Sequence, residues 1–588
     1  MAAWAAGVGL LALVAAGGFA RWSLAPGRVA ESLNAVFQSS SDLRWATPSG
    51  AAFRILPWPN LELFDARIND TSGVNVAAAP EARLDLSLLD LVHGRLRPVR
   101  AALVNPIATV GFRKAFSQRG GEAVLAALRE LGGLSSLSVS NGVLRLVDKE
   151  RGVETMIDSV QGRLDGLKAG DRPRLVLSAV WRDTPFNLGL SLSNAENAVK
   201  GKPSPFAVAL VSPAGKVEFT GEIGWGANPK LAGDLSASTH SLASVARLFR
   251  VPPPSFLSPD DAAVVAKLEA SQESVALGEA TLTSGGQTAQ GALELAEIRG
   301  RTSVSGTLDA ERLAIAPFFG PPARVLDPSG AWSVAAFDFR LPHTFDLDLR
   351  LSARSLDIYG LELTNAAASA ILKDGDLTLN LLEATLGGGR LAAETRLSCV
   401  ERDLRLDGKA KLSDATLSAL AGLGWPALAG QANLEVAIVA SGESPAAAVS
   451  GMTGTGSISW KQAVISGFNL EEALRRSQRQ TGEASRDMRG GQTAIDELSA
   501  GIVIDQGVAH IIDGQLTAQG VAANLKGDIH IAARTVNLQF DATQTDSAGE
   551  PSKDAARLSV ALDGPWFSPA IRRIDAPGKM DAPLDGSP

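Results

Sequence analysis

The stretch Phe345-Asp346-Leu347-Asp348-Leu349-Arg350-Leu351 alternates apolar and charged residues without an error. Successive side chains of a pleated strand point to opposite faces. Phe345, Leu347, Leu349 and Leu351 therefore share one face, and Asp346, Asp348 and Arg350 share the other. A helix would scatter the same apolar groups around its circumference. The two-residue period recurs in Arg83–Leu88, Phe186–Leu192, Leu404–Leu412 (with Gly408 once on the apolar face) and Val536–Phe540. Asn141-Gly142, Asp374-Gly375, Gln506-Gly507, Asp513-Gly514 and Lys526-Gly527 read as tight turns, since these residues accept the positive φ that hairpins demand. The 59 glycines, many just past apolar runs, agree with frequent turns. The expected fold is mainly β, with antiparallel neighbours joined by short loops.

Helical spacing interrupts the strands at Pro26–Gln38, Glu122–Leu131, His240–Phe249 and Leu470–Gln478. A strand followed by a Leu/Ala-rich helical turn recurs near Gly233, Gly306 and Gly408, a weak internal repeat. Asp541–Lys553 reads as a polar loop before a last strand, Leu558–Leu562, and the proline-containing tail from Ile574 as disordered.

Residues 2–20 carry no charge. As a helix, about 19 residues at ~1.5 Å each cover roughly 28 Å, close to the hydrocarbon thickness of a bilayer. Trp4, Leu10, Leu11, Leu13, Val14 and Phe19 are the expected membrane-anchor residues, with Trp22 at the interface beside Arg21. The run is longer than the apolar part of a usual leader, and nothing basic precedes it. An uncleaved single span is the expectation, with a leader cleaved after Gly18-Phe19-Ala20 as the alternative.

Composition excludes several functions. With 45% hydrophobic and 20% charged residues the chain is not disordered over most of its length. A net charge of −8 without basic runs argues against nucleic acid as a partner. Cys399 is the only cysteine, so no intramolecular disulfide or thiol pair exists, and Leu397-Ser398-Cys399-Val400 reads as a strand. His93, His240, His343, His510 and His530 are scattered, with no metal-ligand spacing among them. Neither a nucleophile elbow nor a Walker loop occurs, and Gly387-Gly388-Gly389 lacks the helix and lysine of a phosphate cradle. No catalytic residue, metal site or cofactor is expected, and the chain reads as a non-enzyme.

Further motifs carry a resemblance. Near the start stand Leu56-Pro57-Trp58-Pro59-Asn60-Leu61-Glu62-Leu63 and Leu61-Glu62-Leu63-Phe64-Asp65, then Leu88-Leu89-Asp90-Leu91-Val92-His93-Gly94-Arg95 and Asn105-Pro106. In the middle comes the run from Leu137 to Asp148 (LSVSNGVLRLVD). Toward the end stand Gly454–Ile458, Ser466–Leu470 and Gly564–Pro569. In their order over nearly the whole length these resemble the AsmA family of bacterial envelope proteins. The resemblance implies inner-membrane anchoring with the bulk in the periplasm, and kinship to chorein-type bridge proteins whose curved sheets form an apolar groove. It implies phospholipid as a partner, moved toward the outer membrane, and support of envelope integrity.

The implied layout is an anchor at 1–24, an N-terminal module at 25–115, a repetitive β-groove region at 116–430, a C-terminal β region at 431–573 and a disordered tail at 574–588. An N-terminal transmembrane helix would precede an elongated, curved antiparallel sheet. About 30 strands at ~4.8 Å would reach on the order of 140 Å. Expected groove-lining residues are Leu84, Leu86, Leu144 and Leu146, then Leu188 and Leu190. Farther along they are Phe345, Leu347, Leu349 and Leu351, and finally Val536, Leu538 and Phe540. The alternatives are a ligand-free assembly factor for outer-membrane biogenesis built of closed β-sandwiches, and a secreted β-repeat adhesin, which the anchor disfavours. All give the same alternation, because a strand does not report what meets its apolar face.

Overall fold

The computed structural model describes the chain except for 1–17, 26, 30, 32–43, 47–48, 70–74, 94–96, 112–133, 149–152, 169–171 and 250–260. In the second half it leaves out 299, 317–324, 328–329, 338–342, 344, 401–402, 420–428, 467–468, 478–490, 547–554, 567–568 and 575–588. The chain divides into two compact units, Met1–Pro253 with Asp260–Ser284, and Pro254–Pro259 with Gly285–Pro588.

The first unit opens with β1 (Trp22–Leu24), β2 (Arg44–Ala46), β3 (Gly50–Arg54), β4 (Asn60–Asn69) and β5 (Asn75–Leu86). A five-residue helix, α1 (Leu88–Val92), leads to β6 (Pro98–Val104), β7 (Ile107–Gly111), β8 (Ser136–Asp148) and β9 (Val153–Asp165). Then come β10 (Arg174–Trp181), β11 (Thr184–Leu192), α2 (Ala195–Val199), β12 (Ser204–Ser212), β13 (Gly215–Gly224) and β14 (Lys230–Thr239). The unit ends with α3 (Leu242–Phe249), β15 (Ala262–Ala270) and β16 (Ser274–Ser284). β3 lies between β1 and β4, and β5 pairs with β4 on one side and with β6 and β7 on the other. β6 and β7 both run parallel to β8, and from β8 onward each strand is antiparallel to the next.

The second unit contains β17 (Gln287–Ile298), β18 (Arg301–Ala314), β19 (Phe345–Ile358), β20 (Leu361–Lys373), β21 (Asp376–Leu386) and β22 (Gly389–Val400). It continues with β23 (Asp403–Thr416), β24 (Ala429–Gly442), α4 (Pro445–Ser450), β25 (Thr453–Ser466), α5 (Leu470–Ser477) and β26 (Gln492–Asp505). Last come β27 (Val508–Ala518), β28 (Val521–His530), β29 (Thr535–Gln544), β30 (Arg557–Pro565) and β31 (Ala570–Ile574). β18 and β19 are parallel, whereas β19 to β31 form an antiparallel meander. Fifteen strands at ~4.8 Å make this ribbon roughly 70 Å across. A parallel pair needs a long return segment. Here that segment crosses strand ends: the Trp332 indole N–H donates to the Ile531 carbonyl at 2.9 Å, and the Phe337 N–H to the Glu443 carbonyl at 2.9 Å.

Several sequence expectations need correction. Asp374-Gly375 and Gln506-Gly507 are hairpin turns with positive φ at both residues. Asn141-Gly142, Asp513-Gly514 and Lys526-Gly527 are not turns, because each lies inside a strand. Asn141 (φ 53°) and Asp513 (φ 52°) mark β-bulges, which demand the same left-handed backbone as a hairpin. Gly527 (φ 126°) sits where a Cβ would fall 2.2 Å from the Asn537 carbonyl oxygen of the neighbouring strand. Two crossovers, β6/β7 to β8 and β18 to β19, break the expected antiparallel order, and β31 comes after the strand expected to be last. α3 and α5 fall on expected helical segments, while 122–131 and most of 26–38 lie outside the described residues.

No helix among the described residues is long and apolar enough to cross a membrane. Trp4, Leu10, Leu11, Leu13 and Val14 lie outside the described residues. Phe19 is exposed, and Trp22 belongs to edge strand β1, paired with Phe53.

Candidate functional site

The register of the second unit carries one face from strand to strand. Along the paired residues, Leu293 of β17 leads to Gly306 of β18, Leu349 of β19, Ala370 of β20 and Leu379 of β21. The line continues through Thr395, Gly408, Ile438, Gly454, Ile504, Ala509 and Ile529 to Val536. A parallel line passes through Leu351, Ala368, Leu381, Ala393, Ala410, Val436, Gly456, Ile502, Ile511, Gly527 and Leu538. Large and small residues roughly alternate across the strands, which notches the surface, and Thr395 is the one hydroxyl among the residues just named. No charge is among them.

These side chains are mostly half-buried. Leu347, Leu349, Leu351, Leu381, Ala393, Leu397, Val436, Ile502 and Leu538 are neither covered nor fully solvated, and Leu379 is 40% exposed. The face stays apolar although the strands are long, because bulges reset the alternation. Asn365 in β20, Asp414 in β23, Gln462 in β25 and Asp513 in β27 all have φ near 50°. Register shifts accompany each of them, and another falls between Leu381 and Ala384. Each extra residue flips the facing of the rest of its strand, so the apolar positions step by three: Leu381 to Ala384, Leu412 to Ala415, Ile511 to Gly514. Bulges also bend their strands. On the far side of this line the same face closes into a core with Leu356, Leu363, Ala384, Leu386, Leu412 and Ala415. Farther along, Leu470 and Leu474 of α5 pack with Leu516, Val521, Ala523 and Val560.

The opposite face is charged and internally paired. Arg301 meets Asp346 at 2.8 Å, Lys461 meets Glu497 at 3.6 Å, and His510 Nδ1 meets Asp528 at 2.7 Å. Burial opposes the charge of Asp541. Hydrogen bonds from Ser559, Gln539 and Lys526 outweigh it and hold the carboxyl below the usual carboxylate range. A depression of about 570 Å³ over β21–β25 also lies on this face, ringed by Glu394, Lys409, Lys411 and Glu435. Lys411 and Glu435 stand 3.6 Å apart, so it offers a ligand balanced charge.

The residues expected to line a groove divide between two settings. Phe345, Leu347, Leu349, Leu351 and Leu538 share the open face of the second unit, with Phe540 against its covered part and Val536 buried at 7% exposure. Leu144, Leu146, Leu188 and Leu190 are half-buried in the first unit, where Leu188 pairs with Leu177 and Leu210. Leu84 and Leu86 instead lie in a closed core at 2% and 6% exposure. Strand-by-strand alternation does not point to Ala370, Gly454 and Ile502, whose membership only the register reveals. The three-residue step in apolar spacing is the signal the sequence holds. Cys399 is half-buried and pairs with Leu404.

Residues 327–514 match the model of the AsmA family. This stretch, about a third of the chain, is similar to the AsmA family. It begins in the crossover before β19 and ends within β27, so the AsmA match contains most of the open apolar face of the second unit. No curated protein and no solved structure matches the chain.

Proposed function

We propose that the chain is a non-enzymatic envelope protein that handles phospholipid, holding acyl chains against the open apolar face and passing them along the ribbon toward the outer membrane. The observation that carries this reading is the charge-free row from Leu293 to Gly454, uncovered at every position but Gly408, before it closes into a core at Ile504 and Ala509. Water opposes an exposed acyl chain by ~0.8 kcal/mol per CH₂, and a surface covering half of each methylene removes about half of that along the path. The AsmA match supports the envelope setting. In this reading an inner-membrane anchor at residues 2–20 leaves the bulk in the periplasm. Closed sandwiches without ligand are the second reading, and the incomplete burial of Leu347, Leu349 and Leu351 disfavours it.

A photocrosslinking residue tests the proposal. At Leu349 it should capture phospholipid, and at Asp348, one residue away on the charged face, it should not. Capture at both sites or at neither removes the one-sided conduit.

A further inference from the structure

The first unit ends in an apolar surface that the groove does not use. Helix α1 contains Leu88, Leu89 and Val92 and buries none of its residues. Ser87 caps it, its hydroxyl accepting the Asp90 N–H, so the chain builds a deliberate turn of helix only to present leucines to solvent. Leu89 and Val92 are each 78% exposed, and Leu88 is 53% exposed. Trp58, at 63%, stands beside them, since the next residue's carbonyl, Pro59, accepts the Leu86 N–H. Ile55 and Phe19 complete the patch, at 39% and 59% exposure, joined through Gly18, whose carbonyl accepts the Ile55 and Leu56 N–H groups. Scattered exposed hydrophobics are ordinary, but six large ones contributed by three segments to one end of a sheet are not.

We propose that this patch is a foot that seats the first unit on a phospholipid bilayer, immersing Trp58, Leu89 and Val92 among the headgroups and upper acyl carbons. The segment leading into the patch identifies the occupant: the uncharged run of residues 2–17 reaches the described structure at Gly18, which is held against Ile55 and Leu56. Tryptophan beside leucine and valine suits the headgroup layer, and the exposed Arg97, whose carbonyl accepts the Ser87 N–H, borders the patch for phosphates. The proposal rests on the lipid-handling reading, to which it adds the place of contact with the donor bilayer.

The test uses the full chain in phosphatidylcholine/phosphatidylglycerol vesicles. A Cys399→Ser background removes the only native thiol, and an environment-sensitive fluorophore is placed on Leu89→Cys, Val92→Cys or the control Ser236→Cys on exposed β14. Nitroxide-bearing lipid should quench the first two at least twofold more than the control. Equal quenching overturns the foot. So does a probe at position 89 already shielded without lipid, which would assign the patch to a second copy. If the labelled variants fold poorly, a fall in brominated-lipid quenching of tryptophan in Trp58→Phe gives the same answer, and unchanged quenching overturns the foot. Quenching is read separately from lipid capture at Leu349. Capture without quenching keeps the conduit and removes the foot, whereas quenching without capture leaves an attachment surface only.

Discussion

Arg83-Leu84-Asp85-Leu86 in β5 and Asp346-Leu347-Asp348-Leu349 in β19 are nearly the same word, yet their leucines meet different fates. Leu84 and Leu86 are covered by Val29, Leu134 and Leu167, which arrive from three separate segments outside the strands and join Leu61 and Leu63 in a core. Leu347 and Leu349 have apolar neighbours beside them, Val304 and Gly306 on one strand and Leu372 and Ala370 on another, but they remain half-exposed. Lateral pairing therefore builds an apolar face in both places. Whether it becomes a core or a binding surface depends on a third party laid over it.

The largest expected effect separates the two regions by charge. Leu84→Asp strands an unpaired carboxylate in a closed core and should cost roughly 3–5 kcal/mol. Leu349→Asp keeps its carboxylate within reach of water, so folding should survive while lipid transfer fails. Denaturant titration of the two variants measures the contrast, and equal losses would dissolve the distinction between open and closed faces. A gentler pair sharpens it within one unit. Leu363→Ala, at a site with 0% exposure, should cost about 2–5 kcal/mol. Leu347→Ala, half-exposed, should cost about 1 kcal/mol, as less apolar surface returns to water.

The bulge line that separates open from closed supplies a smaller effect. Asp414 sits at φ 55°, with its N–H donated to Asn433 Oδ1 at 2.9 Å. Asp414→Val should lose about 1–2 kcal/mol by forcing a β-branched residue into the left-handed region, while Asp414→Gly should not. Thermal melts of both variants check the sign. The smallest effect is a pH dependence. Asp541 is held below its unfolded value, so its contribution is present above the ordinary carboxylate range and is lost as pH falls through the lowered folded value. Asp541→Asn should flatten that acid-side slope and leave stability at neutral pH less dependent on acid. An unchanged slope would assign acid sensitivity to other carboxylates.

Legibility varies with the range of the interaction involved. Phe345 to Leu351 is legible as a strand because facing is set by neighbours two residues apart. Asp513-Gly514 and Asp374-Gly375 both read as hairpins, and only the second is one. Both pairs supply positive φ locally, and only the partner strand's continuation past Asp513 distinguishes a bulge from a reversal. The three-residue steps from Leu381 to Ala384 and from Leu412 to Ala415 are visible in the sequence, since a strand that keeps one apolar face across such a step must contain an extra residue.

What the amino-acid sequence determined by itself is the β class, the two chemically opposed faces, the sites of positive φ and the resemblance to the AsmA family. These rest on side-chain period and backbone preference within a few residues. The tertiary structure alone decided which apolar positions form one surface, through a register that joins Leu349 to Ala370, Leu379 and Gly408 across tens of residues. It also decided which part of that surface is open. Coverage of Leu84 depends on where Val29, Leu134 and Leu167 come to rest, and coverage of Val560 on α5. The hydrophobic effect is non-directional, so an apolar side chain carries no mark of which neighbour, protein or lipid, will remove it from water.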